Sequence, residues 1–131
     1  MKKFLTDTHA ILWFIAEDKR LPAKIREIFL KAEKGEVQII IPTIVLAELL
    51  YICEKGKAPL PLIYVIERIK MSTGFKVVPF DLDVLEEMLD LPKDLEMHDR
   101  IICATAILYD AIIITKDKIL TKLGKVKTIW Q

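Results

Sequence analysis

Four carboxylates carry the chemistry that this chain can offer: Asp7, Glu48, Asp99 and Asp117. Their surroundings read Phe4-Leu5-Thr6-Asp7, Ile44-Val45-Leu46-Ala47-Glu48-Leu49-Leu50, His98-Asp99-Arg100-Ile101-Ile102 and Ile112-Ile113-Ile114-Thr115-Lys116-Asp117. Each stands where an apolar, strand-like run gives way to a helix, or inside the helix that follows. In an open α/β sheet, the loops at the carboxyl ends of neighbouring strands converge on one crevice. Acidic groups brought there from distant parts of the chain repel one another unless a cation lies between them. An all-oxygen donor set suits a hard ion, Mg2+ or Mn2+. Zinc prefers His or Cys, and His9 and His98 lack a paired-ligand spacing. A cation held by carboxylates polarises a phosphoryl oxygen and lowers the pKa of a bound water, which fits phosphodiester hydrolysis.

Ordinary explanations compete for three of the four. Asp7, Asp99 and Asp117 each precede a predicted helix, where aspartate caps free N–H groups for about 1 kcal/mol. Asp83-Val84-Leu85-Glu86 has the spacing of a capping box, so Asp83 is assigned to structure and Asp81 to the same turn. Glu48 resists this account. It falls on the apolar stripe with Ile44, Val45, Leu49 and Ile52, and glutamate is almost never buried without a partner. A lysine or arginine partner is one account, but a metal or charged cleft explains it better, because Asp99 leads a similar stripe through Ile102, Cys103 and Ala106. Trp13 and Phe14 sit at helical spacing beside Ile11, Leu12 and Ile15, which marks core or a subunit interface more than a base-stacking platform. His9, at a helix start, is expected to make a structural hydrogen bond.

The elements that must position these residues follow from hydrophobic pattern. Strands are expected over Lys3–Thr6, Val37–Ile41, Lys76–Phe80, Ile112–Thr115 and Lys127–Trp130. Continuous runs such as Ile39-Ile40-Ile41 belong to strands buried on both faces, as in a parallel sheet. Helices are expected over His9–Ala16, Thr43–Glu54, Leu60–Ser72, Val84–Leu91, Arg100–Tyr109 and Lys118–Leu123. Another carries Ile25, Ile28, Phe29 and Ala32 between Pro22 and Gly35. Alternation of the two types implies one α/β domain over residues 1–131 with a parallel sheet.

Composition narrows the classes further. Hydrophobic residues make up 53% and charged residues 30% of 131 residues, enough for one sizeable core. No segment approaches the roughly 20 apolar residues that span a bilayer, and the N-terminus meets Asp7 too early for a secretory apolar region. The expectation is a cytoplasmic protein with no membrane association. A net charge of +1 advertises no global nucleic-acid footprint. Cys53 and Cys103 read as small hydrophobes rather than a disulfide. The absence of Asn, beside abundant Lys, Glu and Ile, matches a heat-adapted balance.

Order and spacing of the acidic stretches resemble the PIN-domain ribonucleases, and in particular the VapC-type toxins of toxin–antitoxin pairs. Thr6-Asp7-Thr8-His9-Ala10-Ile11-Leu12-Trp13 looks like the family's first motif and Ile44–Leu49 like its second. His98-Asp99-Arg100-Ile101-Ile102-Cys103-Ala104-Thr105-Ala106 is similar to the third, and Ile114–Asp117 to the fourth. The resemblance implies a central parallel sheet of about five strands flanked by helices, and Mg2+- or Mn2+-dependent endoribonuclease activity. It implies Asp7 and Asp99 as principal metal ligands, with Glu48 and Asp117 completing the acidic pocket. Thr115 would hold a water or an acidic side chain through its hydroxyl. Two partners besides RNA are implied, a cognate antitoxin and a second copy of the chain. Arg100, Lys116 and Lys118 flank the acids and are candidate phosphate contacts, against a reading as solvated surface charge. A housekeeping RNA-processing nuclease shares these residues. A receiver-like phosphoacceptor built on Asp7, Asp81 and Lys116 would leave Glu48 and Asp99 without a role, and a purely structural binding module would tolerate Glu48→Gln. Serine hydrolase and phosphate-loop motifs are absent.

Overall fold

The computed structural model describes residues 1–131. Its strands are β1 (Lys3–Thr6), β2 (Gln38–Pro42), β3 (Phe75–Val78), β4 (Ile112–Ile114) and β5 (Thr128–Ile129). They form one sheet in the order β3-β2-β1-β4-β5, and every neighbouring pair is parallel. Leu5 at the centre pairs with Ile40 on one side and Ile113 on the other. All three are fully buried, as unbroken isoleucine runs require when helices cover both faces.

Seven helices surround the sheet: α1 (Thr8–Ile15), α2 (Ala23–Glu33), α3 (Thr43–Glu54), α4 (Leu62–Met71), α5 (Leu82–Met88), α6 (Met97–Tyr109) and α7 (Lys118–Leu123). The chain lays down β1, β2 and β3 outward in one direction, then returns to place β4 on the other side of β1. That reversal creates a crevice beyond the carboxyl ends of β1 and β4, the position where open α/β sheets bind ligands.

The expected elements are all present, and their edges move for identifiable reasons. β3 ends at Val78 instead of Phe80, because Pro79 has no N–H for the ladder; Phe80 is 48% exposed. β5 stops at Ile129, and Trp130 turns its ring edge-on to Trp13 at 6.0 Å. α4 starts at Leu62, with Pro61 at its N-cap position. α5 starts earlier than expected, and the cap is Asp81, whose carboxylate accepts from the Val84 N–H at 3.2 Å. Asp83 lies within the first turn and is not the cap.

Packing below the crevice is aromatic. Phe14 stacks on Phe29 at 4.7 Å, and Phe29 meets Phe75 edge-on at 6.1 Å. Trp13 and Phe14 are therefore core residues. Gly74 joins this region to the sheet: its N–H donates to the Ala32 carbonyl at 2.8 Å and its carbonyl accepts from Ile39 at 2.9 Å. A side chain there would collide with the carbonyl oxygens of Ala32 and Val37, so close backbone approach demands glycine. No helix is long and apolar enough to cross a membrane.

Candidate metal centre

Asp7 leaves β1 in extended conformation and caps α1, its Oδ1 accepting from the Ala10 N–H at 2.9 Å. Its own N–H donates to the Ile114 carbonyl of β4 at 3.3 Å, which holds the carboxylate over the junction of the two central strands. At the end of β4, buried Thr115 accepts from the Asp117 N–H at 3.0 Å. Asp117 in turn caps α7 through the Ile119 N–H at 2.7 Å. Capping and facing the cleft are thus compatible for both residues, because a carboxylate has lone pairs to spare.

Asp99 behaves differently from the sequence expectation. α6 begins at Met97, and the cap is Glu96, whose Oε2 accepts from the Asp99 N–H at 3.1 Å. Asp99 lies inside the first turn, where its carboxylate is not used as a cap. Glu48 is also corrected. It flanks the buried Val45 and Leu49 without being buried itself; its side chain is 40% exposed and looks into the cleft. Its partner is neither lysine nor arginine but His98, with Oε1 3.1 Å from Nε2.

These pieces meet in one cleft of about 320 Å3, walled by Asp7, Glu48, Asp99, Thr115 and Asp117. Thr8, His9, Glu96 and His98 also line it, and none of these four was singled out as a site residue from sequence. The tightest donor group is Glu96, His98 and Asp99, with one ligand atom from each lying within 4.8 Å of the others. A signal for it existed in Glu96-Met97-His98-Asp99, three donor residues within four positions, but placing the helix start at Arg100 hid their shared turn.

The electrostatics show crowded negative charge. Burial pushes the Asp7 carboxyl above its ordinary range, opposed by the Thr115 hydroxyl, the Ala10 N–H and the nearby His9 and His98 rings. Asp99 is also raised, first by burial, then by repulsion from Asp117 and Glu96, with Glu48 adding to it and His98 opposing. Two acids with raised pKa values in a cleft of like charge mark a functional site candidate. The donor chemistry of carboxylates and hydroxyls fits a hard divalent cation.

The flanking cations separate into two groups. Arg100, read from sequence as either a phosphate contact or surface charge, donates from Nε and Nη2 to the Met88 carbonyl at 3.1 and 2.7 Å, tying α6 to the end of α5. Lys116 and Lys118 are exposed and border the acidic cleft beside Asp7, Asp117 and Trp130. Lys116 Nζ stands 4.6 Å from the Trp13 ring centre. His9 is exposed and rests against Trp13 at 5.7 Å, in place of the expected hydrogen bond. Of the cysteines, Cys103 is buried, its thiol pushed up to about 11 by burial, and Cys53 is half-buried.

Comparison with known proteins agrees with this architecture. No curated protein sequence matches the chain. Among solved structures, DNA-bound VapBC from Salmonella typhimurium is similar at 23% identity with a TM-score of 0.73, covering 98% of each chain. VapBC2 from Rickettsia felis, bound to a DNA fragment from its promoter, is similar at 18% identity and TM-score 0.71, covering 98% of this chain and 99% of that one. A toxin–antitoxin complex from Klebsiella pneumoniae is similar at 20% identity and TM-score 0.64, covering 94% of each. At such identities these likenesses show the shared fold. The PIN domain family model matches residues 4–126, and with all but the two chain ends inside that match, the chain belongs to the PIN domain family.

Proposed function

We propose that this PIN domain is a Mg2+- or Mn2+-dependent endoribonuclease and acts in the cytoplasm as the toxin of a toxin–antitoxin pair. The single observation that carries the nuclease reading is the convergence of Asp7, Glu48, Asp99 and Asp117 on one cleft at the carboxyl ends of β1 and β4. Asp7 and Asp99 are the principal cation ligands, since both are held by their helices while their charges are disfavoured without a counter-ion. Glu48 and Asp117 complete the acidic wall and orient the attacking water. Thr115 steadies Asp7 through its hydroxyl while accepting from the Asp117 N–H. When bound, the ion supplies Lewis-acid polarisation of a phosphoryl oxygen and a more acidic water. Lys116 and Lys118, exposed at the cleft border, hold flanking phosphates without reading sequence.

The toxin assignment is supported by the fold shared with chains of VapBC and toxin–antitoxin complexes. The partners that follow are a cognate antitoxin and a second copy of the chain. Apolar side chains left open on α3 (Leu50, Tyr51), on α5 (Leu82, Leu85) and at Leu89 just after it give such partners a surface to cover. The test is cleavage of a mixed RNA pool with and without Mn2+, comparing the chain with Asp7→Asn and Asp99→Asn. Activity should require the ion and vanish in both variants. Cleavage that survives both substitutions, or persists in chelator, would reject the proposal.

A further inference from the structure

His98 takes no part in the function proposed above, yet it faces the same cleft as the four acids. It is the second residue of α6, and its side chain is 23% exposed. Nε2 stands 3.1 Å from Glu48 Oε1 and 3.4 Å from the buried Thr8 hydroxyl. The ring also supplies a donor atom within 4.8 Å of carboxylate oxygens from both Glu96 and Asp99. An imidazole therefore lies among oxygens contributed by α1, α3 and the capped first turn of α6.

Two explanations fit a nitrogen at hydrogen-bond distance from a carboxylate. In one, His98 is a structural partner that neutralises part of the Glu48 charge. In the other, the pair forms one edge of a coordination shell. Donors bound about 2.1 Å from an ion at right angles lie about 3 Å apart, so the observed Glu48–His98 spacing suits a shared cation with little rearrangement. The location favours the second explanation. The ring lines the cleft that Asp7, Asp99 and Asp117 share with Glu48, so its nitrogen stands within reach of a cation held by those acids.

We infer that His98 is a nitrogen ligand of the divalent-cation site, and that it makes the site select Mn2+ over Mg2+. This rests on the nuclease reading above and deepens it. Mg2+ demands near-ideal octahedral oxygen ligation and gives up its waters reluctantly. Imidazole is a ligand of first-row transition ions rather than of Mg2+, and Mn2+ is the member of that row that also suits carboxylates. One nitrogen among carboxylates thus tilts an otherwise indifferent oxygen site toward manganese.

The experiment uses the whole chain, freed of metal, at about pH 8, above the ordinary imidazole range. Melting temperature is followed against MnCl2 and, separately, MgCl2 for the wild-type chain and His98→Gln. Gln retains a polar head that can bond Glu48 while removing the ring nitrogen. The wild type should bind Mn2+ more tightly than Mg2+. His98→Gln should weaken Mn2+ on the order of tenfold or more, the scale lost when metal-site partners are removed, and leave Mg2+ nearly unchanged. An equal Mn2+/Mg2+ ratio in the two proteins overturns the inference while leaving the nuclease reading intact. A wild-type melt that neither ion shifts overturns both.

A direct readout keeps the test independent of how the variant folds. Pulsed electron paramagnetic resonance of wild-type protein loaded with Mn2+ should show coupling to a directly bound imidazole nitrogen. The chain has two histidines, so retention of that coupling in His9→Gln assigns it to His98. Absence of nitrogen coupling in the wild type overturns the inference.

Discussion

Adding Mn2+ to the metal-free protein should raise its melting temperature along a slope set by chain length. Unfolding entropy near 2.1 cal/mol/K per residue gives about 0.28 kcal/mol/K for a chain of this size. Above the dissociation constant, each tenfold increase in free ion adds about 1.4 kcal/mol of stability per ion bound only by the folded state. One ion therefore lifts the melt by about 5 °C per decade of Mn2+, and two ions by about 10 °C. Scanning calorimetry across several decades then counts the ions as well as detecting them.

The same assay exposes the cost of assembling the site. Burial raises the folded-state pKa of Asp7 above its unfolded value, so its contribution to stability is fully present below the unfolded pKa. That contribution is lost as pH rises through the folded value. At neutral pH without metal, the ionised Asp7 should destabilise the fold. Asn caps a helix as well as Asp does, so Asp7→Asn should keep the Ala10 bond and melt above the wild type. The difference should shrink toward zero in acid, where both carry a neutral group. On adding Mn2+ the order should reverse, because the variant loses the rise. A flat wild-type titration would refute the reasoning, as would an equal slope in Asp7→Asn and Asp99→Asn. So would a metal-free Asp7→Asn that melts below the wild type at neutral pH.

Three further outcomes follow from particular contacts. Arg100→Met should cost about 2 kcal/mol through loss of two charge-assisted bonds to the Met88 carbonyl, roughly 7 °C in melting temperature, with the salt dependence of RNA binding unchanged. A reduced salt slope would make Arg100 a phosphate contact after all. Lys116→Met and Lys118→Met should each lower that slope by about 0.7 in a filter-binding series on single-stranded RNA, and an unchanged slope would return both lysines to plain surface charge. Gly74→Ala should destabilise by about 1–3 kcal/mol in urea unfolding, because the new methyl meets backbone carbonyls that cannot step aside; a neutral effect would mean that the α2–β2 junction yields.

The fold was legible wherever the relevant physics is local. Runs such as Ile39-Ile40-Ile41 announce buried parallel strands, since only side chains covered on both faces can all be apolar. The sequence expectation overran β3 and β5 because hydrophobicity continues past the last ladder bond, into Phe80 and Trp130. Helix starts were less legible where acids compete for the cap. Asp81 and Asp83 are both plausible caps two residues apart, and Glu96 displaced Asp99 although glutamate is not among the favoured cap residues. Arg100 illustrates a different gap: a guanidinium beside an acidic motif looks like a phosphate ligand until its acceptor, a carbonyl twelve residues back, is seen.

By itself, the sequence determined which residues are available for chemistry and which segments are strands and helices, because side-chain type and hydrophobic period act over a few neighbouring positions. Only the tertiary structure decided that Asp7, Glu48, Asp99 and Asp117 share a cleft and that His98 and Glu96 join them. It also decided that Glu48 answers His98 across 50 positions of chain. The physical reason is range. Repulsion between carboxylates and the reach of an imidazole depend on separation in space, and that separation is set by the return of the chain to lay β4 beside β1.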